Sequence, residues 1–211
     1  MLFCAIVGAG DFYPEHFDKS KYGFIIAADG GVKSLEKIGI TPDLIVGDLD
    51  SSDRLPAGVP LVKFKVEKDE TDMHLALLEG AKRGYRGFVL FGGVGGRIDH
   101  TFANYCLLKY AKEQGYTAYL IDKDYYSFVI KNEERELLGR RGAAFSVFAF
   151  GTEAGGVSVR GGKYAAEDVT LSPDFPLGVS NSFTGGPVSI SVTDGSLLVM
   201  AEYPEKNSDF Y

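Results

Sequence analysis

The sequence has no tryptophan and only two cysteines among its 211 residues, and these absences narrow what the protein can be. Cys4 and Cys106 lie in apolar stretches and do not form a Cys-x-x-Cys pair, which argues against a zinc site and against a disulfide framework. We therefore expect two buried thiols in a reducing compartment. Neither His16 nor His74 has a partner at a metal-like spacing.

Positive charge is scarce as well. Lysine and arginine number 22 against 29 aspartates and glutamates, which gives a formal net charge of −7. A surface that binds nucleic acid needs clustered basic residues, so we expect no nucleic-acid partner. The apolar run at the N-terminus is too short for a membrane span and lacks the basic residues of a signal peptide. We therefore expect a cytoplasmic protein with no membrane partner.

Several common enzyme motifs are missing too. The sequence has no G-x-x-x-x-G-K-[ST] loop, no G-x-S-x-G elbow and no H-E-x-x-H helix. Gly8 and Gly10 begin like a dinucleotide fingerprint, but Tyr13 stands at the third glycine position. These absences argue against a P-loop enzyme, an NAD-binding enzyme, a serine hydrolase of the elbow type and a zinc protease.

Short apolar runs alternate with helical patterns over the first 125 residues. The predicted strands cover residues 2–7, 24–28, 44–46, 61–64, 88–91 and 118–121. Three helical faces lie between them, made of Val32, Leu35 and Ile38, then of Met73, Ala76, Leu77, Gly80 and Ala81, and then of Ala103, Cys106, Leu107, Tyr110 and Ala111. This alternation predicts an α/β domain with a mostly parallel sheet that is covered on both faces.

The pattern changes after residue 125 to short strands separated by Gly, Pro, Asn and Asp. These strands are predicted at residues 143–150, 156–160, 169–171, 188–192 and 197–203. The last two flank Asp194-Gly195, which favours a hairpin. We therefore predict an α/β domain at residues 1–130 and an all-β sandwich domain at residues 131–211. The polar run at residues 131–136 fits a linker or an exposed hairpin at this boundary.

Carboxylates and glycines directly follow the predicted strands of the α/β domain. Asp29 and Gly30 follow the second strand, residues 48–50 the third, residues 69–72 the fourth and residues 92–100 the fifth. Ligands of open parallel sheets bind beyond the carboxyl ends of the strands. The sequence therefore predicts one functional edge that combines carboxylates with glycines.

Asp48 and Asp50 are two residues apart, so in an extended segment both carboxylates point the same way. Magnesium prefers one or two carboxylates together with water and phosphate oxygens. The pair therefore favours a magnesium site, and an Asx-type turn is the alternative interpretation.

Residues 69–72 have the composition of a helix start, with Asp69 as the expected N-cap. Capping alone would explain this pattern. A helix N-terminus also presents free N–H groups to phosphate, so Thr71 and Asp72 could face both metal and phosphate.

The glycine run at residues 92–96 would let the backbone approach a phosphate closely, and Arg97 would add a planar donor for phosphate oxygens. Asp99 could instead be only the N-cap of the following helix. A histidine at a helix start, such as His100, is more often structural than a ligand contact.

Five segments of the chain match the motifs of one family in that family's order. They are ADGG at residues 28–31, PDLIVGDLDS at 42–51, KDETDMHLAL at 68–77, GGVGGRIDHTFAN at 92–104 and SNSFTGGPVSISV at 180–192. Together they resemble the thiamine pyrophosphokinase family. The resemblance implies an N-terminal α/β domain, a C-terminal β-sandwich and a homodimer. It also implies a reaction of ATP with thiamine that gives AMP and thiamine diphosphate.

The resemblance implies roles for residues of the α/β domain. Asp48, Asp50 and Asp72 would hold Mg²⁺, with Thr71 beside them. Asp29 and Gly30 would shape the nucleotide edge. The triphosphate would be contacted by Gly92, Gly93, Gly96 and Arg97.

The remaining implied roles concern thiamine and the chemistry. Ser180 and Asn181 would lie against thiamine, and each active site would be shared between two subunits. Because tryptophan is absent, a ring that stacks on thiamine would come from Phe or Tyr, for example Phe183. Asp99 would contact the bound substrates, and either Asp99 or one of the metal-binding aspartates would accept the hydroxyl proton.

Two other functions remain open at this point. One is another magnesium-dependent nucleotide or phosphate-ester enzyme that uses the same aspartates. The other is a non-catalytic module that binds thiamine or a nucleotide. The presence of Asp48, Asp50 and Asp72 together argues against this second alternative. AMP release that depends on thiamine would separate the first of these from a diphosphate transferase.

Overall fold

The computed structural model describes residues 2–47, 56–64 and 69–204, and the chain forms two compact units, Met1–Lys123 and Asp124–Tyr211. The sequence interpretation placed the boundary after residue 130. The structure divides the chain earlier because the strand at Tyr125–Lys131 pairs along its whole length with a strand of the second unit.

Where the structure describes it, the first unit contains a parallel sheet with three α-helices. Its strands are β1 (Phe3–Val7), β2 (Tyr22–Ala28), β3 (Leu44–Val46), β4 (Leu61–Val62), β5 (Gly87–Phe91) and β6 (Thr117–Ile121). Its helices are α1 (Gly31–Lys37), α2 (Asp72–Lys82) and α3 (Ile98–Glu113), and short 3₁₀ turns lie at Pro14–His16 and Lys19–Lys21. The strand order is β6-β5-β1-β2-β3-β4, and every pair of neighbours is parallel.

The apolar strands form the core of this unit because helices cover the sheet. All five residues of β5 are buried, as are the last four of β1. On α2, Gly80 lets the helix approach the sheet, since a Cβ there would lie 2.8 Å from the ring of Phe88. The α/β prediction is confirmed.

The two cysteines differ in environment. Cys4 is fully buried in β1, and burial raises the pKa of its thiol to about 12. Cys106 is exposed, so the expectation of a buried thiol is wrong there. The buried face of α3 consists of Asn104, Leu107, Leu108 and Ala111. Position 106 lies just outside this face, because the helical phase is shifted relative to the predicted one.

The second unit is a sandwich of two antiparallel sheets. Its strands are β7 (Tyr125–Lys131), β8 (Glu134–Leu137), β9 (Ala144–Ala149), β10 (Ala154–Arg160), β11 (Ala166–Leu171), β12 (Asn181–Ser182), β13 (Val188–Ser191) and β14 (Ser196–Glu202). One sheet has the order β12-β9-β14-β7 and the other β11-β10-β13-β8. Along β9 the buried residues alternate with half-buried ones, as expected for a strand that presents one face to the core. The predicted β-sandwich is confirmed.

The turn at Asp194-Gly195 does not close a hairpin. β13 pairs with β10 and β8, whereas β14 pairs with β7 and β9 in the other sheet. The hairpin prediction is therefore wrong. The Gly195 N–H donates to Asn132 Oδ1 at 2.9 Å, and Asn132 lies in the turn between β7 and β8. Two neighbouring turns thus carry the chain from one sheet to the other.

No helix within the described ranges is long and apolar enough to cross a lipid bilayer.

Candidate active site

The loops that follow β1 and β5 are joined by a series of backbone hydrogen bonds. The N–H groups of Gly8, Gly10 and Asp11 donate to the carbonyls of Phe91, Gly92 and Val94, each at 2.8 Å. Side chains are excluded at this contact, because a Cβ on Gly10 would lie 2.4 Å from the Val94 oxygen. The parallel pairing of β1 and β5 therefore continues past the carboxyl ends of both strands.

The loop at residues 92–96, here called the glycine loop, has three of its carbonyls bound. The carbonyls of Gly92 and Val94 accept from the β1 loop, and Asn104 Nδ2 donates to the Gly93 carbonyl at 2.7 Å. Within the described part of the chain, no backbone hydrogen bond has an N–H of residues 93–97 as its donor. Gly92, Gly95 and Gly96 have positive φ angles of 59°, 83° and 64°. Successive free N–H groups in such a turn are typical of an anion site.

Arg97 and Asp99 form an ion pair at the end of the glycine loop. Arg97 donates from Nε to Oδ1 of Asp99 at 3.1 Å and from Nη2 to Oδ2 at 2.5 Å. These hydrogen bonds from Arg97 lower the pKa of the Asp99 carboxyl to about 2. Both side chains are mostly exposed, at 72% and 61%, so they are accessible to a ligand.

Asp99 is not the N-cap of α3. The residue at the N-cap position is Arg97, whose side chain makes no capping bond. Asp99 lies in the first turn, where its Oδ1 accepts from the His100 N–H at 3.0 Å. The interpretation of Asp99 as a cap is therefore wrong, because the helix begins earlier than that interpretation required.

The N-cap of α2 is Thr71 rather than Asp69. Thr71 Oγ1 accepts from the His74 N–H at 3.2 Å, so the cap lies two residues beyond the predicted one. The hydroxyl of Thr71 can still donate its own proton. Asp72 occupies the first turn of α2.

One of the three predicted magnesium ligands lies within the described residues. Asp72 is described, whereas Asp48 and Asp50 lie outside the described residues. Among residues 2–47, 56–64 and 69–204, no three His, Cys, Asp or Glu side chains are grouped closely enough to hold a metal. Carboxylate oxygens are hard donors, and their chemistry suits Mg²⁺.

Asp29 and Gly30 join β2 to α1 through a tight backbone arrangement. Asp29 has φ of 47°, and its N–H donates to the Val46 carbonyl at 2.9 Å. At the next position, Gly31, a Cβ would lie 1.8 Å from the Val7 oxygen. Only glycine fits there, so the start of α1 packs directly on the end of β1.

Ser180 and Asn181 lie in the sandwich unit, and their side chains differ in what they can contact. Ser180 is exposed and has φ of 61°, and its N–H donates to Ser146 Oγ at 3.1 Å. Asn181 is only 8% exposed. Its Oδ1 accepts from the N–H groups of Tyr164 and Ser182 at 3.0 and 2.8 Å, and its Nδ2 donates to the Tyr164 carbonyl at 2.7 Å. The amide of Asn181 is therefore used mainly to hold the loop that carries Tyr164.

Tyr164 offers an aromatic ring that a ligand can reach, and it lines the same cavity as Ser180. Phe183 is 2% exposed and packs on Phe145 with ring centroids 5.0 Å apart, so the expectation that Phe183 stacks on a ligand is wrong. Tyr164 is 60% exposed, and Lys163 Nζ lies 5.0 Å from its ring centroid. Sequence reasoning missed Tyr164, although Gly161 and Gly162 directly precede the Lys163-Tyr164 pair between two predicted strands.

A cavity of about 760 Å³ opens beside these residues in the sandwich unit. It is lined by Tyr164, Ser180 and Asn181 and by apolar residues of both sheets, including Val147 and Val157. Its volume and its few polar groups are typical of sites for small organic molecules.

These features define a two-domain protein in which an α/β domain with an anion-type glycine loop precedes a β-sandwich with a ligand-sized cavity. Residues 17–120 match the family model for the thiamin pyrophosphokinase catalytic domain, and residues 127–197 match the model for the thiamin pyrophosphokinase vitamin B1 binding domain. The chain therefore belongs to the thiamine pyrophosphokinase family, which confirms the resemblance found in the sequence.

Individual relatives agree with this assignment. The thiamine pyrophosphokinase of Bacillus subtilis is 26% identical over 182 residues, which cover 83% of this chain and 85% of that protein. The crystal structure of thiamine pyrophosphokinase from Bacillus subtilis has a TM-score of 0.84 at 22% identity, covering 96% of this chain and 100% of the other. That from Geobacillus thermodenitrificans has a TM-score of 0.83 at 24% identity, covering 96% and 98%. The two structures establish the fold.

Proposed function

We propose that the protein transfers the diphosphate group of ATP to the hydroxyl of thiamine, giving thiamine diphosphate and AMP. One observation carries this proposal: the catalytic and the vitamin B1 binding models of one family match in order, and each falls on one of the two units. The cavity of the sandwich unit and the glycine loop of the α/β unit are consistent with one organic and one anionic substrate.

The glycine loop is the proposed site for the phosphate chain of ATP. Its free N–H groups at residues 93–97 are donors without a backbone acceptor in the described ranges, and phosphate oxygens would accept from them. Arg97 extends this set with a guanidinium that is 72% exposed. We expect the phosphate oxygens either to accept hydrogen bonds from Arg97 together with Asp99 or to replace Asp99 as the partner of Arg97.

Asp99 is an ionised partner of Arg97 at neutral pH, because the hydrogen bonds from Arg97 lower the pKa of its carboxyl to about 2. Both candidates from the sequence, Asp99 and an aspartate of the predicted metal set, stay open as acceptors of the hydroxyl proton, because coordination to Mg²⁺ would weaken the second as a base as well.

Asp48, Asp50 and Asp72 are the proposed ligands of Mg²⁺. When bound, the ion would offset negative charge on the phosphate chain during transfer. Asp72 supports this assignment through its place in the first turn of α2, next to Thr71, whose hydroxyl can donate to a phosphate oxygen.

Thiamine is the proposed ligand of the sandwich unit. It carries an aromatic pyrimidine and a positively charged thiazolium, and the cavity offers an exposed tyrosine ring beside the Ser180 hydroxyl. The ammonium of Lys163 lies against the ring of Tyr164, which indicates that this ring can receive a cation. Asn181 would act indirectly by holding the Tyr164 loop.

We also propose a homodimer in which the aspartates of one chain and the Ser180 loop of the other build each site. Three exposed side chains around the cavity, Tyr164, Leu177 and Val179, support an interface, because such clusters are uncommon on surfaces that face only water. To test it, Asp48→Asn protein is mixed with a Ser180→Ala/Asn181→Ala variant after partial unfolding. Restored activity supports shared sites, whereas confirmed subunit exchange without activity contradicts them.

The proposed reaction is tested by incubating the protein with ATP, Mg²⁺ and thiamine and identifying the products by mass. We expect AMP and thiamine diphosphate in equal amounts, and no AMP without thiamine. ADP with thiamine monophosphate would overturn the reaction, and AMP release without thiamine would indicate a hydrolase instead.

A further inference from the structure

Asn104 is a buried polar side chain to which the proposed reaction so far assigns no role. It lies on α3, is 5% exposed and donates from Nδ2 to the Gly93 carbonyl at 2.7 Å. The bond spans eleven residues and ties the second turn of α3 back to the glycine loop that precedes the helix.

This hydrogen bond fixes the direction of one peptide group. In a trans peptide the carbonyl of one residue and the N–H of the next point in opposite directions. Because the Gly93 carbonyl points at Asn104, the Val94 N–H points away from α3. Within the described ranges this N–H donates no backbone hydrogen bond.

The neighbouring peptide groups are held differently. The carbonyls of Gly92 and Val94 accept from the backbone N–H groups of Gly10 and Asp11, so no change of side chain removes those two bonds directly. At Gly93 the donor is a side chain. Two successive glycines at this point give the backbone more rotational freedom than other residues would, so the Gly93–Val94 peptide depends on Asn104 for its orientation.

We propose that Asn104 is a positioning residue that keeps the Val94 N–H directed away from α3, where it donates to the phosphate chain of ATP. The inference rests on the proposed function, since it takes the glycine loop to be the phosphate site. Asn104 itself does not touch the substrate. Its effect is specific to the nucleotide and does not extend to thiamine.

The test compares two variants with a control in the same domain. Asn104→Leu has a similar size without a donor, and Asn104→Ser keeps a hydroxyl that is too short to reach Gly93. The control is Asp43→Ala, because Asp43 Oδ2 accepts from the Ile25 N–H at 2.8 Å and precedes β3, towards the amino ends of the strands. Like the Asn104 variants, the Asp43→Ala control loses one hydrogen bond between a side chain and the backbone.

We expect the KM for ATP to rise about tenfold in both Asn104 variants, the effect of one lost hydrogen bond to a charged group. The KM for thiamine should change less than about twofold, and the control should leave both constants near wild type at a similar loss of melting temperature. An unchanged KM for ATP in a folded Asn104 variant overturns the inference. An equal rise of the KM for ATP in the control also overturns the inference, because the effect would then come from the loss of stability.

Direct binding separates this inference from the proposed reaction. Calorimetry with ATP and Mg²⁺ but no thiamine should show weaker binding for both Asn104 variants than for wild type. If wild type binds ATP and makes no thiamine diphosphate, the reaction fails while the Asn104 comparison still stands. If the variants bind ATP as tightly as wild type does, the inference fails even when the reaction is confirmed.

Discussion

Replacing Ser180 by glycine should separate the stability of the sandwich unit from its proposed binding of thiamine. Ser180 has φ of 61°, in the left-handed region that residues with a Cβ rarely adopt. Its side chain is exposed, and its N–H donates to Ser146 Oγ. The change to glycine removes a Cβ and a hydroxyl and leaves this backbone donor in place.

The expected gain in stability follows from two opposing effects. The left-handed conformation costs a residue with a Cβ about 1–2 kcal/mol. Glycine adds freedom to the unfolded chain, which cancels about 0.4–1 kcal/mol of the relief. We therefore expect a net stabilisation of about 0.5–1 kcal/mol, or a rise in melting temperature of about 1–4 °C for a chain of this length.

Activity should change in the opposite direction. If the Ser180 hydroxyl contacts thiamine, Ser180→Gly and Ser180→Ala should both raise the KM for thiamine about 3- to 10-fold, the effect of one neutral hydrogen bond. The KM for ATP should stay constant. Ser180→Ala keeps the strained Cβ, so only the glycine variant should melt at a higher temperature.

Asp168→Gly provides a matched control for the conformational argument. Asp168 also has a positive φ, 51°, but it does not line the cavity. It should gain a little stability without a change in the KM for thiamine. A Ser180→Gly protein that melts at or below the wild-type temperature would refute the strain argument. If the KM for thiamine is unchanged in both Ser180 variants, the Ser180 hydroxyl does not contact thiamine.

Three further predictions address other parts of the molecule. Asp72→Asn should lower turnover about 100-fold or more in a protein that still melts cooperatively, because a proposed metal ligand is lost; near-normal turnover would leave Asp72 only a role at the start of α2. Tyr164→Leu should raise the KM for thiamine several-fold, while Tyr164→Phe should stay near wild type because it keeps the ring. Phe175→Leu serves as the control and should have no effect, because the Phe175 ring is 65% exposed but does not line the cavity. Burial lowers the pKa of His74, whose Nε2 is buried and has no hydrogen-bond partner in the described part of the chain. The unfolded state therefore binds the proton more readily, so stability should fall as the pH drops below about 6.5. In His74→Leu the melting temperature should depend less on pH between about 5 and 7, and an unchanged dependence would contradict this origin.

The elements of the α/β unit could be predicted because each is defined by a local pattern. Apolar runs such as residues 88–91 identify strands that are buried on both faces, and Gly39 and Gly115 follow α1 and α3 closely. The edge at which the polar motifs meet follows from strand direction alone. These inferences need no knowledge of distant contacts.

Contacts between distant segments limited the prediction of the sandwich. The alternation in residues 188–192 identifies a strand, but it does not say which sheet that strand joins, so the sequence alone predicts a hairpin at Asp194-Gly195. The sequence does not predict the strand at Tyr125–Lys131, because its apolar run stands next to a change of pattern that indicates a domain boundary. The burial of Phe183 depends on its ring contact with Phe145, which lies 38 positions away in the sequence, so no local pattern predicts it.

Asn181 and Asn104 show why a residue within a recognised motif does not have to contact a substrate. An asparagine amide has two donor hydrogens and one acceptor oxygen with two lone pairs. At Asn181 both lone pairs and one hydrogen are already used within the sandwich unit, which leaves at most one hydrogen for a ligand. At Asn104 one hydrogen is used to hold Gly93, in a side chain that is 5% exposed. In both cases the buried amide fixes a loop, and the groups proposed to contact a ligand are the ones that the loop presents, the Tyr164 ring and the Val94 N–H. Substituting either asparagine should therefore weaken binding of one substrate only, thiamine for Asn181 and ATP for Asn104. Equal losses for both substrates would contradict this division.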